Sequence, residues 1–129
     1  MQLSKRGVKQ DTEKQILDFL YQAVADMKTR AEVQEFLSDI LTDVELMTVA
    51  KRLAIAWHLE KGSSYEDIHQ ELKVSSATIA GMQTKMSERS GIRQALRKIE
   101  AEQWANKWTA RLMRMLGMKN EEYGMNHLK

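Results

Sequence analysis

The chain has 129 residues with no proline, no cysteine, six glycines and nine methionines, and 20 Lys+Arg oppose 18 Asp+Glu for a formal charge of +2. That length supports one domain, or one compact domain with an appended helix; the missing cysteine excludes disulfides, thiolate metal sites and cysteine nucleophiles, and the missing proline leaves little material for the turns of an all-β fold. No apolar run approaches the roughly 20 residues of a membrane span, and residues 1–20 lack a signal-peptide core, so a soluble, cytoplasmic, helical protein with no membrane partner is expected.

In chain order, residues 12–28 place Ile16, Leu20, Ala23 and Met27 at spacings of four, three and four, a helical period. Residues 30–41 repeat it with Val33, Phe36, Leu37 and Ile40. Thr42-Asp43-Val44-Glu45 is a capping box, in which Thr42 caps the free backbone donors and Glu45 reaches back. The helix it opens carries Leu46, Val49, Ala50, Leu53, Ala56 and Trp57 and stops at Gly62. Ser64 and Asp67 form a second box opening a short helix with Ile68 and Leu72 inward, and Ser75 or Ser76 caps the next, bearing Ile79, Met82 and Met86. After the break at Ser90-Gly91, one long charged helix is expected from Ile92 to about Leu116, ended by Gly117. On it Trp104, Trp108, Leu112 and Met115 form a stripe read as packing. The fold class is therefore all-α with about six helices. It divides into a basic N-terminal segment (1–11), a helical domain (12–89) and a basic C-terminal extension and tail (90–129).

The near-neutral charge conceals an asymmetry. Residues 1–9 carry +3, residues 10–84 carry −6 and residues 85–119 carry +6. Clustered Lys and Arg is the electrostatic footprint of nucleic-acid binding, although a solvated helix face has the same composition.

Residues 64–86 have the form of a helix-turn-helix. Counted from Tyr65, the apolar residues Ile68, Leu72, Val74, Ile79 and Met82 fall where two short crossing helices must share a small core. The second helix opens with Ser75-Ser76-Ala77-Thr78, small and polar enough to enter a major groove. Two positions fit badly: Lys73 stands where the turn favours glycine, and His69 where a small residue is usual.

Four elements in order, Leu41-Thr42-Asp43-Val44-Glu45-Leu46, Ala50-Lys51-Arg52-Leu53-Ala54-Ile55, Gly62-Ser63-Ser64-Tyr65-Glu66-Asp67-Ile68 and Val74-Ser75-Ser76-Ala77-Thr78-Ile79, resemble the tryptophan repressor superfamily, most closely its YerC/YecD-type members. The resemblance covers about residues 36–86. It implies an intertwined homodimer whose paired helix-turn-helix units bind double-stranded DNA as a transcriptional regulator. The residues expected at that interface are Ser64, Ser75, Ser76, Thr78, Ala80, Gln83 and Thr84. Lys85, Arg89, Arg93 and Arg97 recur every four residues and are expected to supply phosphate contacts, as one basic edge if the helix continues across Ser90-Gly91, or with Lys85 and Arg89 at the end of the second helix if it breaks there. In the tryptophan repressor the ligand lies between two arginines. The first position is kept as Arg52, with Thr42 beside the pocket, but the second is Gly81, followed by Met82. Glycine neither stacks on an indole nor pairs with a carboxylate, so tryptophan is not expected as co-repressor, no other small-molecule effector is implied, and Arg52 is expected to pair with an acid of the body.

No glycine-rich phosphate loop is present, and His58, His69 and His127 are scattered, so neither an enzyme nor a metal or cofactor site is expected. The competing reading is a dimeric helical interaction module that keeps the fold without specific DNA binding.

Overall fold

A computed structural model describes residues 7, 9–101 and 105–117, the side chains of 101 and 105–109 excepted. The described residues form seven helices and no strand: α1 (Gln10–Ala25), α2 (Arg30–Ile40), α3 (Asp43–Glu60), α4 (Tyr65–Leu72), α5 (Ser76–Glu88), α6 (Gly91–Ala101) and α7 (Ala105–Met115). The basic residues Lys5 and Arg6 and the tail beyond Gly117 lie outside the described residues.

Short-range hydrogen bonds set the starts of α2 to α5. The Glu45 amide donates to Thr42 Oγ1 (3.1 Å) while the Thr42 amide donates to Glu45 Oε1 (2.8 Å), closing the expected capping box. Those bonds hold the Glu45 carboxyl below its ordinary range. Ser64 Oγ accepts from the Asp67 amide (3.1 Å), and Ser75, rather than Ser76, caps α5 by accepting from the Thr78 amide (3.2 Å). Thr29 caps α2 in the same way. At the end of α3, Gly62 takes φ +81 and the Ser63 amide reaches back to the His58 carbonyl (3.0 Å), as a left-handed C-terminal glycine allows.

The chain divides into two units, at Leu46 and Met47. In the first, neither α1 nor α2 contains a buried residue. Their apolar faces line an open groove of about 410 Å³ built from Ile16, Leu17, Phe19, Leu20, Phe36 and Ile40, and Phe19 is 78% exposed. The second unit holds the core: Ile55, Ala56 and Trp57 of α3, Ile68 and Leu72 of α4, Ile79, Met82 and Met86 of α5, Leu96 of α6, and Met113 and Leu116 at the end of α7. Helix α4 packs on α5, α5 on α6 and α6 on α7.

The single long helix expected from Ile92 to Leu116 does not form; α6 and α7 fold against each other instead. Leu96 and Met113 belong to one core. On a straight helix rising 1.5 Å per residue they would stand about 25 Å apart, so burying both requires a reversal. The buried face of α7 is Ala110 and Met113, followed by Leu116, while Met115 is 78% exposed. The expected stripe is thereby displaced: Leu112 packs at the edge of the core, Met115 faces away, and Trp104 and the Trp108 side chain lie outside the described residues.

Among the described residues, one buried residue is titratable. His58 is 2% exposed, and its Nδ1 lies 2.8 Å from Ser63 Oγ. Its Nε2 has no hydrogen-bond partner among the described residues, an arrangement that suits a neutral ring donating from Nδ1. Burial depresses its pKa below the ordinary 6.5, against the smaller opposing pull of Glu71 and Asp67. A depressed histidine leaves the folded state binding fewer protons than the unfolded chain, so its contribution to stability is complete above pH 6.5 and is lost as pH falls below that value. The urea midpoint should therefore drop between pH 7.5 and 5.5, and His58→Gln should flatten that dependence; a midpoint unchanged over this range would contradict the burial of a neutral ring. In the turn, Lys73 is the one non-glycine residue with positive φ among those described (+54). Lys73→Gly should raise stability by about 0.5–1 kcal/mol in thermal melts, because glycine takes this conformation without a Cβ clash.

Candidate nucleic-acid interface

Helices α4 and α5 form the helix-turn-helix expected from residues 64–86. Ile68 and Leu72 on one and Ile79, Met82 and Met86 on the other are buried together, with Val74 of the turn packed against them. The turn tolerates Lys73 in the left-handed region partly because His69 braces it: Nδ1–H donates to the Val74 carbonyl at 2.6 Å. The imidazole that stands where a small residue is usual is thus a cross-turn strut at the edge of the motif.

On α5 the three buried residues share one side, and Ser76, Ala77, Thr78, Ala80, Gly81, Gln83, Thr84 and Lys85 are exposed. At 100° per residue, Ala77, Gly81 and Thr84 lie opposite the buried side. Several of the hydroxyls proposed for DNA contact already have partners. Ser75 Oγ caps the helix and also pairs with Thr78 Oγ1 (2.9 Å), Thr84 Oγ1 donates to the Ala80 carbonyl (3.1 Å), and Ser64 Oγ caps α4. Gln83 keeps a full amide on the exposed surface of α5, with no hydrogen bond among the described residues.

The cations separate into two groups. Helix α5 ends at Glu88, and Arg89 is extended (φ −130, ψ 150) before α6 begins at Gly91. Lys85, Arg89, Arg93 and Arg97 therefore do not form one continuous helical edge. Lys85 and Arg89 stay with the end of α5. Arg93 turns to α3, where its Nε lies 2.8 Å from Glu60 Oε1. A second pair beside it joins Lys61 to Glu100, and the Lys61 ammonium also stands 4.5 Å from the Trp57 ring centre. These contacts join residues 33 and 39 positions apart, and no local pattern in the sequence announces them.

The two residues associated with ligand binding have other settings. Thr42 is occupied by the capping box. Arg52 is exposed on α3 and makes no ion pair among the described residues, so its expected acidic partner is absent there: the acid-base pairs of this unit are formed by Glu60 and Lys61, two turns further along α3, which lie beside α6. Among the described residues, no group of three or more His, Cys, Asp or Glu side chains could hold a metal ion, and no helix is long and apolar enough to cross a membrane.

The Trp repressor protein family model matches residues 15–100, from α1 nearly to the end of α6. This is wider than the segment that carries the resemblance in the sequence, and it leaves α7 beyond the match. The uncharacterized protein YerC of Bacillus subtilis (strain 168) is 34% identical over 64 residues. That alignment takes in 50% of this chain and 62% of the relative's length, so the chain spans less than two-thirds of the curated relative it matches. No solved structure matches. With the family match running from the first helix through the helix-turn-helix, and with YerC as a relative, the chain belongs to the Trp repressor protein family and is a YerC-type member of it.

Proposed function

We propose that this protein is a homodimeric, sequence-specific DNA-binding transcriptional regulator that does not use tryptophan as a co-repressor. The observation that carries the reading is the presentation of α5: one side is fixed in the core by Ile79, Met82 and Met86, and the rest of its surface is exposed. A helix held this way on a crossing partner has the form of a major-groove reader. The base-facing residues are Ser76, Thr78, Ala80, Gln83 and Thr84, with Lys85 and Arg89 on phosphates and Ser64 and Ser75 at the two helix starts, where backbone amides also face outward. Arg93 has a lesser part, because Glu60 already neutralises it.

The dimer is supported by the first unit. Two helices with no buried residue, whose apolar faces include Ile16, Phe19, Leu20 and Ile40 all more than a third exposed, leave a surface that a second copy of the same helices would cover. Two protomers would then present two recognition helices to a near-palindromic site. The case against tryptophan rests on Gly81, which offers a ligand carboxylate neither charge nor a stacking surface.

Selection from a random DNA pool should yield a recurring sequence bound well above random duplex. With Lys85 and Arg89 from each of two subunits on phosphates, the logarithm of its affinity should fall with the logarithm of salt concentration at a slope of about −4. Lys85→Ala should weaken binding to all duplexes alike and make the slope shallower by about 2. Equal weak binding to every sequence would instead favour the interaction-module reading. Sedimentation at micromolar concentration should give twice the chain mass, and Phe19→Asp should shift the protein toward monomer. Titration calorimetry with tryptophan should give no binding heat.

A further inference from the structure

The exposed surface of α5 is poor in groups that could hydrogen-bond a base and has no side chain at its centre. Gly81 sits in mid-helix with an ordinary negative φ, unlike Gly62 and Gly117, so the backbone does not require glycine there. A Cβ added at Gly81 would meet nothing within 4 Å, so packing within the chain does not require it either. Glycine in a helix interior costs about 1 kcal/mol relative to alanine, a cost that nothing within the protomer explains. Its exposed neighbours on the same side are Ala77, Thr78, Thr84 and Lys85. Thr78 Oγ1 is taken up by Ser75 Oγ, and the Thr84 hydroxyl is turned back onto the Ala80 carbonyl, leaving its methyl for outside contact. No arginine lies within α5 to grip a guanine, and Gln83 is the side chain with a free amide.

We infer that α5 selects its DNA mainly through thymine 5-methyl groups, which approach the helix backbone at Gly81 beside Ala77 and Thr84. The thymine methyl is the one apolar feature on a major-groove base edge, and alanine and threonine methyl groups are its natural counterparts. At Gly81 a thymine methyl can occupy the volume a side chain would otherwise fill, and any side chain there would hold the helix away from the groove floor. This inference rests on the DNA-binding reading and adds the chemical feature that is read.

The test uses the full-length protein and the duplex recovered from the random-pool selection. Its half-sites should contain thymine. Replacing those thymines by deoxyuridine, which removes only the methyl, should weaken binding about fourfold per contacted base, as expected for one buried methyl group. Gly81→Ala should bind the selected duplex at least tenfold more weakly and random duplex unchanged. Its melting temperature should rise, which shows that the loss is not unfolding. Selected sites without thymine, deoxyuridine duplexes bound as tightly as the parent, or Gly81→Ala binding with undiminished affinity would each overturn the inference while leaving DNA binding intact. Failure of the parent protein to prefer any sequence would overturn both.

Discussion

One turn near the end of α3 is enclosed on every side. Ile55, Ala56, Trp57 and His58 are consecutive and all buried, which on a helix means that no direction around the axis is left to solvent. A helix surrounded in this way fixes what must pack on it: Ile68 and Leu72 of α4, Ile79, Met82 and Met86 of α5, Leu96 of α6 and Met113 and Leu116 at the end of α7 complete the same core. The orientation of α5 therefore depends on the residues of this core. Burying each large aliphatic residue in that core contributes on the order of 1.5–3 kcal/mol. The pairs Arg93–Glu60 and Lys61–Glu100 lie at the surface and contribute little energy of their own. They tie α6 to the end of α3 and to Lys61 just beyond it.

The same enclosure accounts for the one polar side chain at the centre. His58 ties the end of α3 to the following turn through Ser63, and the neighbouring carboxylates Glu71 and Asp67 only partly offset the burial of its ring. The first unit has the opposite character. Its helices are amphipathic yet contain no fully buried residue, and Ile16, Phe19, Leu20 and Ile40 stay exposed. The acidic stretch, residues 10–84, runs from α1 through most of α5, and the basic stretch begins at Lys85 in its last turn.

Much of this was legible in the sequence because the signals are local. The Thr42–Glu45 box, the Ser64 cap and the terminal Gly62 lie where expected, and Ser75 is the serine that caps α5. The Asp67 carboxylate returns no bond to the Ser64 amide, so the second box closes on one side only. The separation of α6 from α7 was not legible. Residues 92–116 contain no proline or glycine, and only the shared core of Leu96 and Met113 demands the reversal. The four-residue spacing of Arg93 from Arg89 points to a phosphate contact, whereas its bond to Glu60, 33 positions away, depends on tertiary structure. Lys73 and His69 looked like misfits in the turn. In three dimensions they explain each other, the strained lysine backbone being braced by the histidine ring.

The central claim is that two copies of this core hold two α5 helices at a fixed separation for reading DNA. Hydroxyl-radical footprinting on the selected duplex tests it most directly. The account predicts two symmetric protected patches with centres about 34 Å apart, one turn of the double helix. A single protected patch, or uniform weak protection along the duplex, would contradict it.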